Sequence, residues 1–133
     1  MILVDTNVLL DLVTDDPNWA DWSSAQLEAA SLNGPLLIND TIYAELSVRY
    51  QRIEALDDFV ALAGLEFLEM PRAALFLAGK VFVQYRRAGG TRSGVLPDFF
   101  IGAQAAISRL PLLTRDPSRY RTYFPTVALV APE

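Results

Sequence analysis

Met1-Ile2-Leu3-Val4-Asp5-Thr6-Asn7 is the stretch whose reading decides the fold. Ile2, Leu3 and Val4 show no polar alternation, the pattern of a short strand buried on both faces. An acid and two small polar residues then end it. The apolar run Val8 to Val13 reads as a helix, which puts Asp5 in a strand-to-helix turn near a helix N-terminus. An open α/β sheet presents its chemistry at such turns.

The same pattern recurs outward from this stretch. Asp16 and Pro17 offer a cap and a first helical residue for a helix carrying Trp19, Trp22, Ala25, Ala29 and Leu32, which stops at Asn33-Gly34-Pro35. Leu36-Leu37-Ile38 is a second buried strand. Asn39-Asp40-Thr41 opens a helix in which Ile42, Leu46 and Arg49 share a stripe and Glu45 lies beside it. A capping box does not explain Glu45, because the residue three positions earlier is Ile42. A helix from about Ile53 to Ala63 leads to a third, edge-type strand at Leu65 to Met70. Pro71 to Arg87 reads as a long helix with Leu75, Ala78, Phe82 and Tyr85 on one face.

Residues 88–94 break all periodicity. Flanked by Arg86 and Arg87 and containing Arg92, they read either as a plain surface linker or as an arginine-bearing flap over a phosphate backbone. The P-loop order of glycines, lysine and hydroxyl is missing. Leu96-Pro97-Asp98 starts a helix with Phe100, Ala103, Ile107 and Leu110 as its apolar stripe. Leu112-Leu113-Thr114 is a brief strand, an arginine-rich turn runs through Arg119 and Arg121, and Val127 to Val130 supplies the last strand. Strands alternating with helices predict one domain over residues 1–133, a three-layer α/β/α fold around a mostly parallel sheet of about five strands.

Composition narrows the chemistry. With no cysteine and no histidine among 133 residues, thiolate nucleophiles, sulfur or imidazole metal sites and imidazole acid–base catalysis are excluded. No apolar run is long enough to span a bilayer, and no basic, signal-length segment precedes the first strand, which points to a soluble cytoplasmic protein without a membrane partner. The net charge of −5 conceals a split. Residues 1–71 hold thirteen acids and two bases, a net −11, whereas residues 72–133 hold nine bases and three acids, a net +6. Ten of the eleven bases are arginine, the side chain suited to forked phosphate contacts.

Asp5, Glu45, Asp98 and Asp116 are the candidate catalytic and metal-binding residues. Right-handed crossovers bring the C-terminal ends of parallel strands to one edge, collecting Asp5, Glu45 and Asp116, and a helix starting at that edge adds Asp98. Taken singly, Asp5 and Asp98 read equally as helix caps, Asp116 as part of an Asp-Pro turn and Glu45 as a solvated acid. Taken together, four like charges on one rim repel one another and call for a cation. With oxygen ligands alone, that cation is Mg²⁺ or Mn²⁺, and carboxylate-held metal suits phosphodiester hydrolysis.

Ile2-Leu3-Val4-Asp5-Thr6-Asn7, the helical Glu45, Pro97-Asp98-Phe99-Phe100-Ile101-Gly102-Ala103 and Leu113-Thr114-Arg115-Asp116 resemble, in order and spacing, the four signature segments of PIN-domain nucleases. Size and the closing strand resemble the VapC toxins of toxin–antitoxin pairs. The resemblance implies a sheet in the order 3-2-1-4-5, Mg²⁺-dependent endoribonuclease activity that inhibits translation, and control by a small cognate antitoxin. It implies metal-binding carboxylates at Asp5 and Asp98, completed by Glu45 and Asp116. Asn7 and Thr114 match polar positions that orient the cluster, and Thr6 is counted with them. Gln104 stands where many relatives carry histidine. Arg86, Arg87, Arg92 and Arg115 are the expected RNA contacts, Trp19 and Trp22 the expected antitoxin contacts when they are not simply core anchors, and a homodimer is expected.

Three other readings compete. A PIN-type RNA-processing nuclease without an antitoxin would share every motif, and a non-catalytic PIN-like module would have no reason to keep four acids together. Aspartyl-phosphate transfer through Asp5 lacks a second acid, because Asn7 occupies that place, and Lys80, the only lysine, lies inside a helix.

Overall fold

A computed structural model describes residues 1–133. Five strands, β1 (Ile2–Val4), β2 (Leu36–Ile38), β3 (Leu65–Phe67), β4 (Leu112–Leu113) and β5 (Leu129–Val130), form one sheet in the order β3-β2-β1-β4-β5. Every pairing is parallel. Helices cover the sheet, and the expected α/β/α architecture and strand order are both observed.

β1 is central because both of its neighbours are short, wholly apolar strands. Ile2 and Leu3 pair with Leu36 and Leu37 on one side, and Leu3 and Val4 pair with Leu112 and Leu113 on the other. Leu3, Val4, Ile38, Leu112 and Leu113 are fully buried. The Asp5 N–H donates to the Leu113 carbonyl at 2.8 Å, so the ladder holds the backbone one residue beyond the strand. The ends of β1, β2 and β4 therefore form one rigid rim.

Seven helices connect the strands: α1 (Thr6–Val13), α2 (Ala20–Ser31), α3 (Asp40–Ser47), α4 (Ile53–Leu62), α5 (Arg72–Arg87), α6 (Leu96–Ile107) and α7 (Ser118–Tyr123). Asn39 caps α3 by accepting from the Ile42 N–H at 2.9 Å, while its side-chain amide donates to Gln104 at 2.7 Å. Gln104 in turn donates to the Glu69 carbonyl at 3.0 Å. The residue standing in the place of a histidine thus braces α3, α6 and the segment after β3 with every polar atom used.

Several expected faces are rotated or shortened. In α2 the buried residues are Ser23 and Leu27, whereas Ala25 and Ala29 are exposed and Leu32 is 83% exposed. The helix begins at Ala20 rather than at Pro17, because Asp16 instead caps a turn, accepting from the Asn18 and Trp19 N–H groups. In α5 the core face is Ala74, Ala78 and Val81, with Leu75 turned outward. Helix α6 has no single stripe: Phe99 and the whole run Ile101 to Ala105 are buried, whereas Ile107 is exposed. α6 is enclosed on most sides, which an amphipathic reading of Phe100, Ala103 and Ile107 does not anticipate. Gly102 is needed there, since a Cβ would lie 2.4 Å from the Phe124 ring. Strand β3 stops at Phe67, although Leu68 still donates to the Ile38 carbonyl. The arginine-rich turn after β4 contains a further helix, α7.

Candidate active site

The rim at the ends of β1, β2 and β4 gathers the acids singled out in the sequence. Asp5 is buried, yet its carboxylate makes no cap bond to α1. One oxygen, Oδ2, instead accepts from Thr114 Oγ1 at 2.8 Å, the Tyr120 hydroxyl at 2.9 Å and Asn7 Nδ2 at 3.3 Å. The other oxygen, Oδ1, has no protein partner. Because no buried side-chain oxygen or nitrogen is left without a partner, Oδ1 keeps some contact with solvent, although Asp5 as a whole is only 3% exposed. Three donors therefore fix the carboxylate from behind and present one oxygen forward.

Thr114 and Asn7 act as a relay around this group. Thr114 Oγ1 also accepts from Asn7 Nδ2 at 3.3 Å and from the Asp116 N–H at 3.1 Å, and Asn7 Oδ1 accepts from the Arg115 N–H at 3.3 Å. Thr6 Oγ1 donates to Glu45 Oε1 at 2.6 Å, which brings Glu45 of α3 to the start of α1. Glu45 is thus held by a hydroxyl and is not a freely solvated acid. Asp98, in the first turn of α6, makes no cap bond and is held through Oδ2 by Arg119 Nη1 of α7. Asp116 is exposed at the edge of the same cluster, its carboxylate free of hydrogen bonds.

Burial and neighbouring charge act on these acids together. Burial, followed by the charge of Asp98, pushes Asp5 up to about 7, against the opposing hydrogen bonds of Thr114 and Tyr120; Glu45 adds to the rise. Glu45 is raised by burial, with Thr6 opposing and Asp98 adding. Asp98 is raised by burial, with Arg119 opposing and Asp116 adding. Burial and the charges of Asp5 and Asp98 hold the Tyr120 hydroxyl well above 10, so it remains a donor at neutral pH.

The donor set fits a hard divalent ion. No three acids stand arranged around one ion position as the side chains lie. Mg²⁺, however, keeps several of its waters and needs only one or two carboxylates. Asp5 Oδ1 is a fixed, outward-facing oxygen, with Glu45 and Asp98 beside it. A guanidinium already occupies Asp98 Oδ2, which shows that this cluster attracts positive charge.

The arginines divide into two groups. Arg86 and Arg87 end α5 and are exposed, Arg86 lying over the Phe82 ring at 5.7 Å. Arg92 is exposed in the 88–95 loop. Arg115 is fixed: its Nε donates to both Asp11 oxygens, at 3.0 and 2.9 Å, and its guanidinium lies over Trp19 at 5.6 Å. Asp11, fully buried, also accepts from Ser23 at 2.7 Å, tying α1 to α2 and to the turn after β4. Trp19 and Trp22 meet edge to face at 5.8 Å and are half-buried, in part anchoring the fold and in part facing outward.

Tyr120, Arg119 and Asp11 were not singled out by the sequence reading. The available signal for the first two was Tyr120 followed by Phe124 at a four-residue step, which places one face of α7 inward, against the acids.

The family model described as PIN domain matches residues 2–125 of the chain. The chain belongs to the PIN-domain family. PIN domains are generally nucleases that use divalent metal ions, in keeping with the carboxylate rim. This PIN domain is similar in structure to the Rickettsia felis VapBC2 complex bound to a promoter DNA fragment, with a TM-score of 0.75, 19% identity and 100% of each chain covered. A Klebsiella pneumoniae toxin–antitoxin complex gives a TM-score of 0.70 at 23% identity, covering 100% of this chain and 98% of that one. FitAcB from Neisseria gonorrhoeae gives 0.69 at 21%, covering 97% and 96%. At these identities the likeness is one of fold. No curated protein matches the PIN domain in sequence. No helix in it is long and apolar enough to cross a membrane.

Proposed function

We propose that this PIN domain is a Mg²⁺-dependent endoribonuclease, with Mn²⁺ as a substitute ion, and the toxin of a VapBC-like pair that cleaves RNA in the cytoplasm and so inhibits translation. One observation carries the nuclease reading: Asp5 is held by three donors on Oδ2, presents Oδ1 to solvent beside Glu45 and Asp98, and is raised to about 7. Such a group gains most from a cation.

Asp5 and Asp98 are the metal ligands in this reading, and Glu45 and Asp116 complete the site. A bound divalent ion would supply an activated water and charge stabilisation at the phosphoryl oxygen. The chain's own contribution is to orient and hold. Thr114, Asn7 and Tyr120 keep Asp5 in register, and Thr6 keeps Glu45 there. Arg86, Arg87 and Arg92 receive the RNA backbone, and Arg115 would meet a phosphate only with the outer nitrogens left by its pairing to Asp11.

The toxin assignment is supported by the complexes to which the fold is similar, which are toxin–antitoxin assemblies. In this reading a small antitoxin docks at the outward edges of Trp19 and Trp22, and a homodimer forms through apolar surface such as Leu75, Phe76 and Val83 of α5, which are 44%, 69% and 45% exposed. Aspartyl-phosphate transfer is disfavoured by Lys80, whose ammonium lies over the Phe76 ring on the exposed side of α5.

Cleavage of total cellular RNA, followed by sequencing of the new ends, tests the proposal. Discrete ends form with Mg²⁺ and are absent in EDTA, and Asp5→Asn or Asp98→Asn lowers their rate at least a hundredfold while the fold is kept. Cutting by both variants at the parent rate would remove the acid rim as the active site.

A further inference from the structure

Beside the acid rim lies a polar pocket lined by Thr91, Arg92, Ser93, Gly94, Val95 and Arg119. Only Val95 is apolar and none is acidic, so the lining holds two arginines and two hydroxyl residues and no carboxylate. Arg92 forms no ion pair within the chain, whose salt bridges are Arg52 to Glu54, Arg115 to Asp11 and Arg119 to Asp98.

The pocket is built rather than incidental. The Arg92 N–H donates to the Tyr85 hydroxyl at 3.0 Å, and Tyr85 packs on Phe99 and Tyr123 at 5.5 and 6.0 Å between ring centres. Phe99 is the neighbour of Asp98, so the loop is moored to the same aromatic cluster that seats the acid. Gly90 permits this crossing, since a Cβ there would lie 2.4 Å from the Tyr85 ring. Val95, 2% exposed, anchors the other end of the loop.

Arg119 belongs to both places. Its Nη1 holds Asp98 Oδ2, whereas Nε and Nη2 have no protein partner and, with no buried nitrogen left unpaired, are open to solvent. A guanidinium carries five N–H donors in a planar fork, so it can hold a carboxylate and a phosphate together. We propose that this pocket is a phosphate subsite for the RNA strand, receiving the phosphate next to the scissile one on Arg92 and Arg119, with Arg119 linking that phosphate to Asp98. The assignment rests on the nuclease reading above. A strand is favoured over an isolated anion because only a strand places one phosphate at the acid rim and the next in the adjoining pocket. Arg119 is a positioning residue in this scheme.

The test is fluorescence anisotropy of a labelled single-stranded RNA 12-mer of mixed sequence, titrated in EDTA at several salt concentrations. Arg92→Gln and Arg119→Gln each weaken binding about three- to tenfold, and each lowers the slope of log affinity against log salt by about 0.7. Arg119→Lys recovers the slope, and Arg52→Gln, at the exposed residue just before α4, changes neither quantity. Circular dichroism checks that Arg119→Gln remains folded. Wild-type affinity and slope in Arg92→Gln overturn the subsite, even if Arg119→Gln is weak, because that loss would then come from the uncovered charge of Asp98. The two readings fail separately. A protein that cleaves RNA while both glutamine variants bind normally loses only the subsite; one that binds through both arginines yet cuts nothing with Mg²⁺ or Mn²⁺ loses the nuclease.

Discussion

Asp5 is costly to the fold by itself. Its ordinary value of 3.8 is raised to about 7, so between roughly pH 4 and pH 7 the native state holds a proton that the unfolded chain releases. Stability of the ion-free protein therefore falls as pH rises through that window and levels off above it. Glu45 and Asp98, also raised, act in the same direction. Asp5→Asn removes the main contribution. Urea unfolding in EDTA should show the variant more stable than the parent at pH 8, by up to roughly 4 kcal/mol, and nearly equal at pH 4. An unchanged pH dependence would mean that Asp5 titrates normally. Tyr120→Phe makes the complementary case. Losing one of the three donors on Oδ2 costs about 1–3 kcal/mol and raises Asp5 further. The rising limb of the pH–rate profile should then move to higher pH.

At the scale of elements, the ends of β1 and β2 and the starts of α3 and α6 were legible because each is a sharp change between an apolar run and polar residues or proline, whereas the end of β3 and the start of α2 lie a few residues from where they were expected. Asp5, Asp98 and Asp116 sit at such changes, and Glu45 was found because no cap accounted for it. α7 was not legible. Arginines mask the six residues after Asp116-Pro117, whose inward face is marked only by Tyr120, Tyr123 and the following Phe124, and the helix is held inward chiefly by Tyr120 and Phe124, 1% and 3% exposed. The Asp11 to Arg115 pair was hidden for another reason: its partners are 104 residues apart, and an acid inside the apolar run of α1 looks like an interruption until the turn after β4 is placed against it. α6 shows how enclosure defeats periodicity. Gly102 there accommodates the Phe124 ring, and Gly102→Ala should lower stability by about 1–3 kcal/mol in denaturant unfolding while leaving the acids intact. A neutral result would mean that α7 shifts freely, and with it Tyr120.

Across the whole molecule, the parallel sheet and the polarised charge serve one arrangement. Parallel strands bring residues 5 and 116 to one rim, and helices α3 and α6 add 45 and 98. The N-terminal half supplies Asp5 and Glu45, whereas the arginine-rich half supplies the 88–95 loop, Arg115 and Arg119. The −11 and +6 halves of the sequence thus meet at the site, which neither half forms alone. Burial and mutual charge raise Asp5, Glu45 and Asp98 together, and under the proposed nuclease reading a divalent ion at this rim would relieve the repulsion that folding creates. Calorimetric titration of the ion-free protein with Mn²⁺ at pH 7 in two buffers of different ionisation enthalpy measures this directly. The wild type should bind with release of a substantial fraction of a proton, since Asp5 is near half-protonated there. Asp5→Asn should bind at least tenfold more weakly and without that release, and Asp98→Asn more weakly as well. Equal affinity and equal proton release in all three proteins would contradict a metal site at this rim.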